Sequence, residues 1–365
     1  MLATLLAAAL AVASTCDLEK PSGGPGCTRA QVDALKINAL QAIGTHNSYK
    51  MAIAPNELSV IRAASAKQAD ALDYSHPPLG LQLDAGARQL EIDLAYDPTG
   101  GLYAEPLGKK MAGKAWTPHD LTPFKGPGLK VLHAPDVDYR SVCSLFTDCL
   151  KAIRAWSLAN PDHVPVIILL NLKEGGLSWP GAVVAPLFDA QAMDAVDREI
   201  RSVFPKNASI TPDQVQGRHP TLRLAAAAGA WPTLKAARGK VMFALDAPAD
   251  QVARYRGDRR VLEGRVAFVN IEETSPAAGY ITLNEPVEQA GRIRAAVAAG
   301  LIVRTRADAD TWEARANDRT RQDAAFASGA QYVSTDYMAP DPRFGAYIAR
   351  LPGGGRARLS PVARP

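Results

Sequence analysis

The chain has 365 residues, of which 47% are apolar and 21% charged, and a formal net charge of +4. These values fit a globular protein with a sizeable core, and no long charged or low-complexity block argues for a disordered chain. The positive charge is too weak to argue for nucleic acid as a partner, though it slightly favours an anionic surface.

The first fourteen residues, MLATLLAAALAVAS, form an apolar run that ends in the small-x-small sequence Ala11-Val12-Ala13. This predicts a signal peptide over residues 1–13 and an exported, secreted or periplasmic protein. No Lys or Arg precedes the run, and Thr15 before Cys16 is a poor fit to a lipoprotein cleavage site, so export is favoured over a lipid anchor. The run is too short to span a bilayer, and no transmembrane segment is expected. Residues 14–37 read as an N-terminal extension. Cysteines occur at Cys16, Cys27, Cys143 and Cys149, two local pairs. In an exported protein they predict the disulfides Cys16–Cys27 and Cys143–Cys149; the alternative is four free thiols in a cytosolic chain. No histidine stands at ligand spacing from either pair, so zinc is not expected.

Eight β-rich runs follow in order: 39–44 (ALQAIG), 89–94 (QLEIDL), 129–133 (LKVLH), 164–173 (VPVIILLNLK), 240–246 (KVMFALD), 266–271 (VAFVNI), 301–306 (LIVRTR) and 332–336 (YVSTD). Several are almost continuously apolar, as strands covered on both faces should be. Helical stretches at 57–72, 144–158, 192–203, 286–299 and 311–328 alternate with them, with Gly300 and Gly329 as C-terminal stops. The alternation predicts an α/β fold, a single-domain (β/α)8 TIM barrel over residues 38–350. An open doubly wound sheet lacks support, because no Gly-rich phosphate loop follows the first run. The last residues, 351–365, read as a disordered tail.

Polar residues gather at the C-terminal ends of these runs, the face where a barrel builds its active site. They are His46 and Asn47, Glu91 and Asp93, His133, Asn171 and Lys173, Arg304 and Arg306, and at the last run Asp336 and Tyr337. Glu91 and Asp93 are two apart on a strand and so share a face, as do Asn171 with Lys173 and Arg304 with Arg306. Two carboxylates aimed into a barrel repel each other unless a cation sits between them, and hard oxygen donors point to calcium or magnesium. Lysine and arginines beside a metal suggest a phosphate group in the substrate. Lys173 and Arg304 have a plainer alternative as ion-pair partners of the barrel acids. Trp312 stands where it either covers a ligand or packs on the barrel. His76, His119, His163 and His219 lie in Pro-flanked, loop-like contexts and are expected at the surface.

The segments GTHNSY, QLEIDL, VLH and PVIILLNLK, followed by KVMFALD, IVRTRADADT and AQYVSTDY, together resemble the catalytic barrel of phosphatidylinositol-specific phospholipase C, in its calcium-dependent bacterial type, from about residue 36 to 348. The resemblance implies cleavage of phosphatidylinositol to diacylglycerol and a cyclic inositol phosphate, by attack of the inositol 2-hydroxyl on phosphorus. It implies His46 and His133 as the acid–base pair. Asn47, Glu91 and Asp93 would be ligands of Ca2+, with Asn171 at a position where the animal enzymes carry Glu. Glu174 is the alternative fourth ligand, though strand alternation turns it away. Lys173, Arg304, Arg306, Asp336 and Tyr337 would touch substrate. The implied partner is an inositol phospholipid at a membrane surface, met by a monomer. Two competing functions remain: a glycerophosphodiester phosphodiesterase or sphingomyelinase D-like lipase, and a non-catalytic inositide-binding module. The former usually read His-Arg-Gly where this chain reads His-Asn-Ser. The presence of both histidines and both carboxylates argues against the latter.

Overall fold

The computed structural model describes residues 15–362; the expected signal peptide at 1–13 lies outside them. The strands are β1 (Leu40–Thr45), β2 (Gln89–Asp97), β3 (Gly128–Val131), β4 (Val166–Lys173), β5 (Ser209–Ile210), β6 (Val241–Leu245), β7 (Phe268–Val269), β8 (Tyr280–Thr282), β9 (Ile302–Arg306), β10 (Tyr332–Thr335) and β11 (Ala357–Leu359). Parallel pairing runs from β10 through β1, β2, β4 and β6 to β7, and from β8 through β9 back to β10. A parallel bridge between Asn270 and Tyr280 joins β7 to β8. Eight parallel staves therefore return to their start, the TIM-barrel architecture that the alternating pattern predicts.

The staves are apolar because helices cover them outside and side-chain layers fill them inside. The first five residues of β4 are all buried. The helices Phe146–Ala159, Ala190–Val203, Ala249–Arg256, Ala290–Ala298 and Thr320–Ala327 lie between strands. The expected helix at 57–72 is broken at Ser65, whose side chain caps the second piece by accepting from Gln68 N–H. β1 and β2 approach closely at Gly44, where any Cβ would collide with Gln89.

Three sequence expectations change. The run at 129–133 is not a stave: β3 pairs antiparallel with the overhanging end of β2, in register Leu94 with Val131. β2 is nine residues long, and its last residues need a hydrogen-bonding partner beyond the barrel. The eighth stave is instead β8, three residues long. The tail expected to be disordered is ordered through residue 362: β11 pairs antiparallel with Leu40–Ala42, and Leu351, Ala357 and Leu359 are buried. β1 meets β2 only near Gly44, so the first half of its edge is open, and β11 fills it.

The N-terminal extension covers the opposite end of the barrel from the polar cluster. Leu18 N–H donates to Ala357, and Leu18 and Val32 are buried. Arg88, just before β2, forks onto Glu19 at 2.5 and 2.6 Å, and Val164 N–H, just before β4, donates to the same carboxylate at 3.1 Å. Burial pushes the Glu19 carboxyl up, but the Arg88 hydrogen bonds and charge outweigh it and hold the carboxyl below its ordinary 4.5. A depressed folded value stabilises above the unfolded value and is lost as pH falls through the folded one. Glu19→Gln should therefore destabilise by about 3–5 kcal/mol at neutral pH, because it leaves Arg88 buried without its counter-charge. The gap to wild type should stay flat down to the ordinary glutamate value and close below it. Denaturant titrations across that range check this; a gap that does not depend on pH would assign the loss to packing.

Both expected disulfides are present, Cys16–Cys27 and Cys143–Cys149, and no cysteine is free among the described residues. The second ties the segment after β3 to the start of helix Phe146–Ala159. Alkylation of unreduced, denatured protein should label no thiol, and Cys143→Ala with Cys149→Ala should cost about 2 kcal/mol, the closure entropy of a short loop. Labelled thiols at these positions would contradict the pairing.

Candidate active site

Strand alternation sets the site. In β2, Leu90, Ile92 and Leu94 are fully buried between the barrel and its helices, which leaves Glu91 and Asp93 facing the interior. In-register pairing puts Asn171 of β4 beside Asp93, and Arg304 and Arg306 of β9 beside Tyr332 and Ser334 of β10. Arg304 Nη2 donates to Glu91 Oε2 at 2.6 Å, and Asn171 Nδ2 donates to Glu91 Oε1 at 2.8 Å. Asp93 Oδ2 accepts from Lys173 Nζ at 2.7 Å and from Tyr49 O–H at 2.8 Å. Its Oδ1 is buried and has no protein hydrogen-bond partner. Lys173 and Arg304 are thus ion-paired with the barrel acids, as their plainer alternative holds, and they remain within the mouth.

His46 follows β1 directly. Its Nδ1 lies 3.0 Å from Asp336 Oδ1, so its Nε2 is turned into the mouth, 3.7 Å from Glu91 Oε1. Arg306 Nη2 is 3.4 Å from Asp336 Oδ2 and 3.3 Å from His46 Nδ1. His133, just after β3, has the same design: its Nδ1 is 3.0 Å from Asp138 Oδ2, and Lys50 Nζ donates to Asp138 Oδ1 at 3.0 Å. Each imidazole is held by a buried carboxylate at one nitrogen and offers the other, the arrangement of an oriented general acid or base.

The electrostatics follow from burial. Burial raises the Glu91 carboxyl to about 7, against the opposing charge of Arg304. Burial and then the charge of Arg306 lower the His46 imidazole to about 3, against the pull of Asp336. Burial also raises Asp246, at the end of β6, which accepts from Asn270 Nδ2 at 3.2 Å and lies 3.9 Å from Arg304 Nη1. For Asp138, burial is outweighed by Lys50 and His133, and the carboxyl falls below its ordinary value. Two buried acids, Glu91 and Asp93, and the partly buried Asp246 stand near the two basic side chains Lys173 and Arg304.

The structure also places two expected residues elsewhere. The Tyr337 side chain packs edge-on against Tyr347 and Phe344, in a satellite cluster with Ala314, so it leaves the mouth although Asp336 enters it. Glu174, just past β4, forks with Arg254 at 2.7 and 2.8 Å and accepts from Phe188 N–H. Two histidines expected at the surface are buried. His163 bonds Ser157 Oγ at 2.9 Å, and His76 Nε2 donates to the carbonyl of His46 at 2.8 Å. Asp138, Tyr74, His76, Lys50 and Asp246 join the site without having been expected there. Of these, only Asp246 carried a readable signal, as a carboxylate at the end of an apolar run.

A family model described as phosphoinositide phospholipase C, Ca2+-dependent, matches residues 35–361. The chain belongs to that family. Its members are phospholipase C enzymes. A calcium-dependent phosphoinositol-specific phospholipase C from a Pseudomonas species, solved with myo-inositol, superposes with a TM-score of 0.54 at 16% identity, over 90% of this chain and 96% of that one. A Ca2+-dependent phosphatidylinositol-specific phospholipase C from Streptomyces antibioticus gives 0.51 at 18% identity, over 83% and 95%. At these identities the likeness establishes the shared barrel fold. No curated protein matches the chain.

Among the described residues no three His, Cys, Asp or Glu side chains form a tight cation cluster. The phospholipase's donor set mixes carboxylates with amides, and the carboxylates are partly engaged by Lys173 and Arg304. The set nevertheless fits a hard cation: Asp93 Oδ1 is a buried acceptor without a protein donor. No helix among the described residues is long and apolar enough to cross a membrane.

Proposed function

We propose that this phospholipase C is an exported, monomeric, calcium-dependent enzyme that cleaves phosphatidylinositol to diacylglycerol and a cyclic inositol phosphate. The observation that carries this is the pair of imidazoles, each backed by a buried carboxylate, that follow the two strands flanking β2, whose Glu91 and Asp93 line the mouth with two arginines. His46 Nε2 takes the proton of the inositol 2-hydroxyl as that oxygen bonds to phosphorus. His133 gives a proton to the diacylglycerol oxygen as its bond to phosphorus breaks. Arg306 and Lys173 hold the phosphate and ring hydroxyls. Asn47, Glu91, Asp93 and Asn171 would hold calcium, which when bound supplies charge to the phosphate and acidity to the attacking hydroxyl.

A lipid surface as partner is supported by the rim. Met51, Leu102, Val287 and Trp312 are exposed and stand shortly after the C-terminal ends of β1, β2, β8 and β9. Export is supported by the two disulfides. The deciding experiment is a head-group panel with products identified by phosphorus NMR, with and without chelator. Cyclic inositol phosphate from phosphatidylinositol, seen only with calcium, is the expected result. Free choline with the phosphate left on the lipid would favour the sphingomyelinase D-like alternative, and glycerol phosphate with a free alcohol from a glycerophosphodiester would favour the glycerophosphodiesterase.

The fourth ligand gives a separate prediction. Asn171 sits in register with Asp93, whereas Glu174 is committed to Arg254. Asn171→Asp should tighten calcium binding, since ligand charge helps set affinity. Glu174→Gln should leave it within about 2-fold of wild type, because that carboxylate lies outside the donor set. Calorimetric titration distinguishes the two. Loss of calcium in Glu174→Gln without a gain in Asn171→Asp would make Glu174 the ligand.

A further inference from the structure

Tyr74 belongs to no strand or helix and lies in the segment that precedes helix Leu79–Asp84. Its hydroxyl accepts from Asn47 Nδ2 at 2.8 Å and lies 3.2 Å from His46 Nδ1. Its ring stacks with the His46 ring at 6.0 Å and sits 5.1 Å beneath Lys50 Nζ. Lys50 in turn holds Asp138, the carboxylate behind His133. Two residues on, His76 bonds the backbone carbonyl of His46, and its own N–H donates to the carbonyl of Lys50 at 2.9 Å. One short segment thus touches both histidine assemblies and the amide of Asn47.

Asn47 is one of the non-glycine residues with a positive φ. Its φ of 45° places it in the left-handed region, which side chains rarely adopt without a fixed surrounding. A carboxamide also has two faces of opposite chemistry. One orientation offers an oxygen to a cation; the flipped one offers an N–H2 group that repels it. Nothing within Asn47 chooses between them, but a partner that accepts from Nδ2 does. A hydroxyl both accepts and donates, so it selects an orientation only with its own proton turned elsewhere; here the Tyr74 hydroxyl accepts from Nδ2, with His46 Nδ1 as its other neighbour at 3.2 Å, and Oδ1 is left for the donor set.

We infer that Tyr74 is a positioning residue that selects the oxygen-donor orientation of the Asn47 carboxamide and holds it in one unit with the His46 ring. The inference rests on the calcium reading of the site above. Tyr74→Phe removes only the hydroxyl and keeps the ring beneath Lys50. It should weaken calcium binding by about 3- to 10-fold, the range of one neutral hydrogen bond, and lower kcat while leaving KM for lipid within about 2-fold.

The test is a double-mutant cycle read by calorimetric calcium titration of full-length protein, with kcat and KM alongside. A carboxylate has two equivalent oxygens, so in the Asn47→Asp background there is no orientation left to choose. There the Tyr74→Phe effect on calcium affinity should vanish or change sign. An equal weakening in both backgrounds would mean general loosening and would overturn the inference, as would unchanged affinity in Tyr74→Phe alone. Wild-type protein that binds no calcium in the same titration would instead sink the calcium reading itself.

Discussion

His46→Ala is expected to lower turnover of phosphatidylinositol by about 10²–10⁴-fold, and His133→Ala by a similar factor, since a positioned general acid or base contributes on that order. Both side chains are partly solvent-exposed, so their removal should leave the barrel intact. The two losses should differ in kind. If His133 protonates the departing oxygen, a substrate whose leaving group is a nitrophenolate should recover much of the His133→Ala defect, because that oxygen leaves without a proton. The same substrate should do little for His46→Ala, whose defect lies in the attacking hydroxyl. Rates on both substrates, with circular dichroism on each variant, check this. Near-normal turnover in a folded variant would remove that histidine from the mechanism, and recovery in the wrong variant would exchange the two roles.

Stripping calcium is expected to have an effect of comparable size. A bound cation supplies several kcal/mol to a phosphoryl transition state, on the order of 10²–10³-fold in rate. Excess chelator should produce that loss and added calcium should reverse it. Asp93→Asn should behave as though partly stripped at all but high calcium. Asp93 is fully buried, its Oδ1 has no protein donor, and the substitution also leaves Lys173 without its carboxylate. Calcium titration separates the effects: the variant's kcat should approach wild type at saturating metal only to the extent that Lys173 keeps its place. Full wild-type turnover in chelator would exclude the metal, and would assign charge neutralisation to Lys173, Arg304 and Arg306 alone.

Local rules reached much of the polar mouth of the barrel. A period of two along QLEIDL places Glu91 and Asp93 on one face wherever that strand ends up, and the same rule pairs Asn171 with Lys173 and Arg304 with Arg306. The polar residues at the ends of apolar runs mark the mouth of a parallel barrel before any contact is known. Tyr337 shows the limit of that rule. It follows Asp336 by one residue, so its side chain turns to the other side of the chain and packs with Tyr347.

The sequence by itself determined the barrel class, both disulfides, and the histidines and carboxylates that face the mouth, because each depends on residues close in the chain or on strand alternation. Tertiary structure alone decided which apolar run is a stave. LKVLH looks like its neighbours, yet the overhang of β2 captures it antiparallel, and Tyr280–Thr282, too short to carry a pattern, takes the vacant position. It also decided what stands behind each imidazole. Asp336 is 290 residues from His46, and Lys50 is 88 from Asp138. His76 looks like a surface histidine until the loop after β1 folds over it. Whether a polar side chain is buried or bonded depends on segments far away in sequence, and no local period encodes which segments those are.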